Sequence, residues 1–297
     1  MSASNSYRIL MITSTFLMGS SFIASKILLM SGIPPLPLAG WRFLVAAIAT
    51  LPIILTQKGR LSIALLPPEL TVRDWLTVVA IGLLQTALVM GLLFLAMQTI
   101  PAPTAAILLF TQPIWVAVLS RLVLGESLSR FRVFGLLLGM AGVTLMIGSA
   151  GDSLAGGALI GKLLGLGSAF CWGLATIVNK RIAIPIGAWT LNFWQMFIGA
   201  LALLTIAFIN NESWPATTTL TEWGWFLWLA VPASTGSFGL WFMALSRGSA
   251  MRTSGFLFLA PLFTVLLSVF VLGAGLSWIQ CLGGLLVGSG LCLVNRS

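Results

Sequence analysis

Between Glu222 and Arg247 the chain carries no charged residue, and the run WFLWLAVPASTGSFGLWFMAL lies within that interval. A helix needs about 20 mostly apolar residues to cross a bilayer, and lipid admits only helices or closed barrels, because each backbone polar group must find its partner inside the structure. Unbroken apolar runs do not fit the alternating pattern of a barrel strand. An all-α membrane protein is the expected fold class. The whole chain agrees: 59% of its 297 residues are apolar, 7% are charged and histidine is absent, whereas soluble domains have about a quarter of their residues charged.

Charges, prolines and polar breaks predict ten transmembrane helices, at roughly 8–30, 35–56, 74–97, 102–123, 131–149, 159–181, 187–209, 222–246, 252–273 and 277–295. The first has the basic start and small residues of a signal peptide, but it stays apolar to Met30 and has a counterpart later in the chain, so it is read as a true span. With the N-terminus in the cytoplasm, twelve of the fifteen basic residues fall at cytoplasmic helix ends, among them Arg8, Lys58, Arg60, Arg73, Arg130, Arg181, Arg247 and Arg296. Both termini are then cytoplasmic, in a multi-pass protein of a bacterial-type inner membrane. The net charge of +9 is spread over these turns without a clustered basic face, which speaks against nucleic acid as a partner.

FTQPIWVAVLSRLVLGESLS (Phe110 to Ser129) returns as FLAPLFTVLLSVFVLGAGLS (Phe258 to Ser277), so that Pro113 recurs as Pro261, 148 positions on. The same offset pairs Gly125 with Gly273, Gly135 with Gly283 and Gly142 with Gly290. More weakly, GSSFIASK (Gly19 to Lys26) lies against GLATIVNK (Gly173 to Lys180), and LAGWRFLVAA (Leu38 to Ala47) against LNFWQMFIGA (Leu191 to Ala200). The chain reads as one five-helix unit written twice, over 1–150 and 151–297. Five is odd, so the second copy enters the membrane upside down, as in inverted-repeat carriers that work by alternating access.

These features together resemble the drug/metabolite transporter superfamily: two five-helix repeats, a proline-centred fourth helix in each, an LGE or LGA turn after it, and a glycine-rich closing helix. Within it the chain resembles the EamA-type exporters, and ATIVNK on the sixth helix is similar to the YddG-type amino-acid exporters. The resemblance implies a basket-like bundle, a central cavity formed by the first, third, fourth, sixth, eighth and ninth helices, a functional monomer, and export of amino acids or related metabolites. Thr111 and Gln112 stand where aromatic-exporting members have bulky rings, a departure that argues against a strict preference for aromatic substrates.

Polar groups at mid-depth in a bilayer usually face the bundle interior. On the predicted helix centres these are Ser20, Ser21, Gln85, Thr86, Thr111, Gln112, Ser234, Thr235 and Ser237, with Trp172 in the middle of the sixth helix. Gln85 and Gln112 offer donors and acceptors for an ammonium and a carboxylate, and Trp172 offers an apolar wall with one N–H. For each hydroxyl the competing reading is ordinary interhelical hydrogen bonding. Lys26 and Arg42, near the outer ends of their helices, are open to two readings: a cationic gate or vestibule, or snorkelling to the interface. Pro113 and Pro261 remove backbone bonds at matching places and are hinge candidates. Gly135-x3-Gly139 and Gly284-x3-Gly288 read as packing faces.

The six acidic residues all fall in loops or at helix ends, so no carboxylate is placed to bind a coupling ion, and no nucleotide-binding motif occurs. Cys171, Cys281 and Cys292 are isolated, without metal-ligand spacing or a histidine partner. No catalytic residue, metal or cofactor is expected, and the chain is read as a facilitative transporter of small molecules rather than an enzyme.

Overall fold

The computed structural model describes residues 3–58, 64–97, 99–100, 102–148, 159–273, 275 and 277–294. Arg60, Asp152, Arg296 and the junction at 150/151 lie outside them. Among the described residues all regular structure is helical. The helices are α1 (Ala3–Met30), α2 (Pro35–Lys58), α3 (Val72–Met97), α4 (102–124), α5 (Arg130–Gly148), α6 (Leu159–Ile182), α7 (Ala188–Ile209), α8 (Leu220–Arg247), α9 (250–272) and α10 (Trp278–Val294). Eight of them are long and apolar enough to cross a membrane, and α10 is a shorter apolar helix.

Matching sequence positions build matching local structure. Thr71 and Thr219 each cap a helix with a capping box closed by Asp74 and Glu222 respectively. These boxes start α3 and α8 two residues before the acidic residues that the charge pattern marks as the ends. Further along, α3 widens into a π-helical turn over Leu83–Leu88 and α8 does the same over Val231–Gly236. Gly125 and Gly273 both end their helices in the left-handed region, at φ 69° and 64°, each donating its N–H back to a serine carbonyl, Ser120 and Ser268. A residue with a Cβ is disfavoured there, which accounts for glycine in both copies.

The two proline helices are both interrupted just before the ring. The first leaves α-helical geometry between Leu109 and Gln112, ahead of Pro113. The second tightens to a 3-10 turn over Phe256–Phe258, ahead of Pro261. Proline removes the N–H that would bond four residues back, so the break falls in the preceding turn.

Glycines bring α5 and α10 into backbone contact, and the contacts are reciprocal. A Cβ on Gly135 would lie 2.7 Å from the Gly290 carbonyl, and one on Gly142 would lie 2.6 Å from the Gly283 carbonyl. Each contact joins one member of a repeat pair to the partner of the other, and the helices run antiparallel. The same crossing recurs elsewhere: Gly19 of α1 abuts Phe263 of α9, and Gly173 of α6 abuts Trp115 of α4. The Gly284-x3-Gly288 reading is corrected here. A Cβ on Gly284 would lie 3.1 Å from Cδ1 of Leu262 on α9, so that half of the pattern does pack, but one on Gly288 would meet nothing within 4 Å, and the face of α10 buried against α5 is Gly283, Val287 and Gly290. That face lies one residue, about 100° around the helix, from the x3 pattern, and the closest approach is made at a seven-residue spacing, Gly283 and Gly290, as for two helices crossing at a shallow angle.

A large apolar core joins all ten helices, with Met11, Phe43, Ile81, Met196, Trp241 and Phe258 among its buried side chains. At one end of the bundle Glu126, from the LGE turn after α4, accepts the N–H groups of Ala250 (2.8 Å) and Met251 (3.3 Å). A carboxylate of the first half thus caps the N-terminus of a helix in the second, where the helix dipole favours it. Beside it Tyr7 hydrogen-bonds Thr253 at 2.9 Å, and Lys180 donates to the carbonyl of Leu245.

Candidate functional site

Two polar groups occupy the interior of the bundle. The first is built around α6. Ser168 donates to the carbonyl of Val89 at 2.8 Å and Gly161 abuts the carbonyl of Ala96, so α6 runs antiparallel to α3 and Trp172, one turn past Ser168, comes level with Gln85. From α4, Gln112 approaches Thr176 of α6 and Ser254 of α9 through Nε2, both at 3.4 Å. Trp241 of α8 lies against Trp172, ring centres 6.4 Å apart.

Most of this group is left without hydrogen-bond partners. Both amide atoms of Gln85, Oε1 of Gln112 and the indole N–H groups of Trp172 and Trp241 are buried and unpaired. None of the four side chains is more than 8% exposed. Each unpaired polar atom costs about 1–3 kcal/mol, so four such side chains on α3, α4, α6 and α8, with Trp172 against Trp241 and Gln112 reaching Thr176 one turn along α6, are unusual for mere packing. The central cavity implied by the resemblance is closed at this level: Gln112 and Trp241 are wholly covered, and a hollow with an aromatic lining lies elsewhere, between Trp41, Trp214, Trp223 and Phe226.

The second group is a relay of side chains across α2, α8, α7 and α3. Nε of Arg42 donates to Ser234 Oγ at 2.8 Å. Next along the π-turn of α8, Thr235 donates to the carbonyl of Ala46 (2.6 Å) and its own carbonyl accepts from Asn192 (3.3 Å). Asn192 accepts from Gln195 (3.3 Å), and Gln195 accepts the hydroxyl of Thr86 (2.5 Å), the neighbour of Gln85. The wider coil of a π-turn displaces its side chains from the ordinary helical register, and such turns often mark functional positions. Here both carry polar residues of the relay.

The remaining sequence candidates are bonded within their own helices. Ser20, Ser21, Thr111 and Ser237 each donate to a carbonyl three or four residues back. Ser20 also accepts the indole N–H of Trp228 at 3.1 Å. Lys26 is exposed. Arg42 is not snorkelling: it is 8% exposed, its guanidinium 4.5 Å from the centre of the Phe43 ring. A charge held inside a helix bundle costs about 3 kcal/mol on insertion scales.

Sequence reasoning missed Asn192, Gln195, Trp241, Thr176 and Ser254. Gln195 was legible, since aligning LNFWQMFIGA with LAGWRFLVAA sets Gln195 on Arg42, and the arginine was already singled out. Trp241 gave no signal that separates it from other core tryptophans. Among the described residues no cluster of His, Cys, Asp or Glu could hold a metal.

A multi-span helical bundle with buried, uncommitted polar groups from several helices is the framework of a small-molecule transporter. The model of the EamA-like transporter family matches residues 5–148 and again residues 159–296, and the chain belongs to that family. It is 28% identical to "Uncharacterized transporter YoaV" of Bacillus subtilis over 94% of this chain and 93% of the relative. It is 30% identical to "Protein PecM" of Dickeya dadantii over 72% of each. "Uncharacterized inner membrane transporter YedA" of Escherichia coli K12 shares 27% identity over 84% of this chain and 78% of its own. A solved crystal structure superposes with a TM-score of 0.82 at 19% identity, over 98% of this chain and 97% of that one, a likeness of fold. The family and its relatives are transporters, not enzymes.

Proposed function

We propose that this chain exports amino acids and related small metabolites by alternating access, as a facilitative carrier and a monomer, from an inner membrane with both its termini in the cytoplasm. The observation that carries the reading is the Gln85 side chain, buried with neither amide atom bonded, at the level of Trp172 on the antiparallel neighbour α6. Donor and acceptor on one neutral group suit a zwitterion, whose two charges need opposite partners but no net countercharge. Gln85, Gln112, Trp172 and Trp241 form the substrate site; Thr86, Ser234 and Thr235 hold the π-turns around it.

Two inverted five-helix repeats, 1–150 and 151–297, account for the matched capping boxes, π-turns and left-handed glycines, and for the reciprocal α5–α10 contacts. The family model's separate match to each stretch supports the same division. Two such units can exchange conformations and open the site to alternate sides. The interrupted helices before Pro113 and Pro261 are the hinges, and Glu126 closes the cytoplasmic end. Facilitative transport is supported by the use of acidic residues: Asp74 and Glu222 are spent in exposed caps and Glu126 on the α9 N-terminus.

Counterflow in proteoliposomes tests this. Vesicles loaded with unlabelled methionine, threonine or phenylalanine should take up the labelled amino acid saturably, and Gln112→Ala or Trp172→Ala should weaken exchange by tenfold or more. Absence of exchange for every amino acid would reject the substrate class, and a rate that climbs steeply with an imposed pH gradient would reject the facilitative mechanism.

A further inference from the structure

We infer that Arg42 is the anchor of a carboxylate-binding subsite, reached by substrate between α2 and the π-turn of α8; this rests on the transport reading above for its purpose. Arg42 is the one charged residue among the described buried side chains. No described carboxylate pairs with it, and its sole hydrogen bond is from Nε to Ser234. The two terminal nitrogens make no bond and are not sealed off. A guanidinium has five N–H donors, so four remain, arranged in the planar fork that matches a carboxylate with two parallel bonds.

The rest of the group is held in place. Ser234 donates its own proton to the carbonyl of Leu229 at 2.7 Å, which leaves its lone pairs to accept from Nε. The Phe43 ring lies 4.5 Å from the guanidinium carbon, and is itself set edge-on against Phe238, with centres 6.1 Å apart. One edge is thus bonded, one face is stacked, and the fork is free.

Packing does not demand the charge. At the aligned position of the second half stands Gln195, which accepts from Thr86 of the other π-turn and donates to Asn192, so there a neutral amide is satisfied within the protein. The arginine therefore adds something on one side only. A single buried cation balances a single negative charge, which favours a monocarboxylate over a phosphate of about −1.5 to −2.

The test is thermal unfolding of the purified full chain in detergent, with three probes: methionine, N-acetylmethionine (a carboxylate without an ammonium) and methionine amide (an ammonium without a carboxylate). Methionine and N-acetylmethionine should raise Tm and the amide should not. Arg42→Gln, which copies the Gln195 arrangement, should weaken half-saturation by at least tenfold, and Arg42→Lys should weaken it less. Equal stabilisation by methionine and its amide, or the same methionine response in Arg42→Gln, would overturn the subsite while leaving amino-acid binding intact. A response to N-acetylmethionine alone would support the subsite and reject the amino-acid reading. No response to either carboxylate would overturn the subsite as well. Should Arg42→Gln fail to fold, the wild-type comparison of methionine with its amide decides.

Discussion

Thr86 of α3 donates its hydroxyl to Oε1 of Gln195 on α7 at 2.5 Å. Ser234 of α8, 148 positions on and at the same place in its own π-turn, accepts instead of donating, from Nε of Arg42 on α2 at 2.8 Å. One architectural joint, a π-turn tied to the neighbouring helix, is thus made twice with different chemistry. Thr86→Val keeps the shape and removes one bond, so it should lower stability by about 0.6 kcal/mol, the average for such bonds between membrane helices. Gln195→Leu should cost more, about 1–3 kcal/mol, because it strands both Oδ1 of Asn192 and the hydroxyl of Thr86, whereas Thr86→Val strands only Oε1 of Gln195. Thermal unfolding in detergent distinguishes the two, and equal losses would show that the relay through Asn192 contributes nothing.

The α5–α10 seam makes a contrast within one helix. Gly142→Ala would set a methyl 2.6 Å from the Gly283 carbonyl, and backbone cannot give way as a side chain does. A loss of about 1–3 kcal/mol is expected, as for other overpacked sites. Gly288→Ala meets open space and should leave stability unchanged or raise it by up to about 1 kcal/mol through helix propensity. Melting temperatures of the two variants check the assignment, and a larger loss at Gly288 would return the packing face to the x3 pattern.

Much of this was legible before any coordinates. Apolar runs gave the spans because hydrocarbon leaves a helix no alternative, and Pro113, Pro261, Gly125 and Gly273 marked breaks and ends because their backbones are special. The α10 face was misread because Gly284 and Gly288 satisfy a local spacing rule, whereas which side of a helix is buried depends on its neighbour. The π-turns carried little residue signature: LLQTAL and VPASTG share only an apolar first residue and a hydroxyl at the fourth, Thr86 and Ser234, which ordinary helices also contain. Gln85, Gln112 and Trp172 stand out in the sequence because polar groups at mid-depth are costly, and all three are buried with unpaired polar atoms. The idle state of Gln85 and the satisfied state of Thr111 could not be told apart, since both depend on what stands opposite.

Glu126 joins the two halves at one end of the bundle through the first N–H groups of α9. Glu126→Gln keeps an acceptor and loses the charge, at about 0.3–1 kcal/mol. Glu126→Ala leaves both N–H groups unpaired and should be worse. If this contact closes the cytoplasmic side, its loss should expose the interior from that side. In a chain lacking Cys171, Cys281 and Cys292, thiol labelling at Ser254→Cys from the cytoplasmic face should speed up severalfold when Glu126→Ala is added. An unchanged labelling rate would reduce Glu126 to a helix cap.

Gln85 separates function from stability most sharply. Its amide makes no hydrogen bond and is 2% exposed, so a buried polar group is being carried at a cost the fold does not recover. Gln85→Leu, of similar size and without polar atoms, should leave stability unchanged or raise it by about 1–3 kcal/mol. The same change should reduce counterflow of any transported zwitterion by tenfold or more, since it removes the uncommitted donor and acceptor at the level of Trp172. Gln112→Leu, which breaks contacts to Thr176 and Ser254, should lower both quantities. A Gln85→Leu protein that is more stable and exchanges substrate at the wild-type rate would move the binding site away from α3, and the relay ending at Arg42 would be the place to look next.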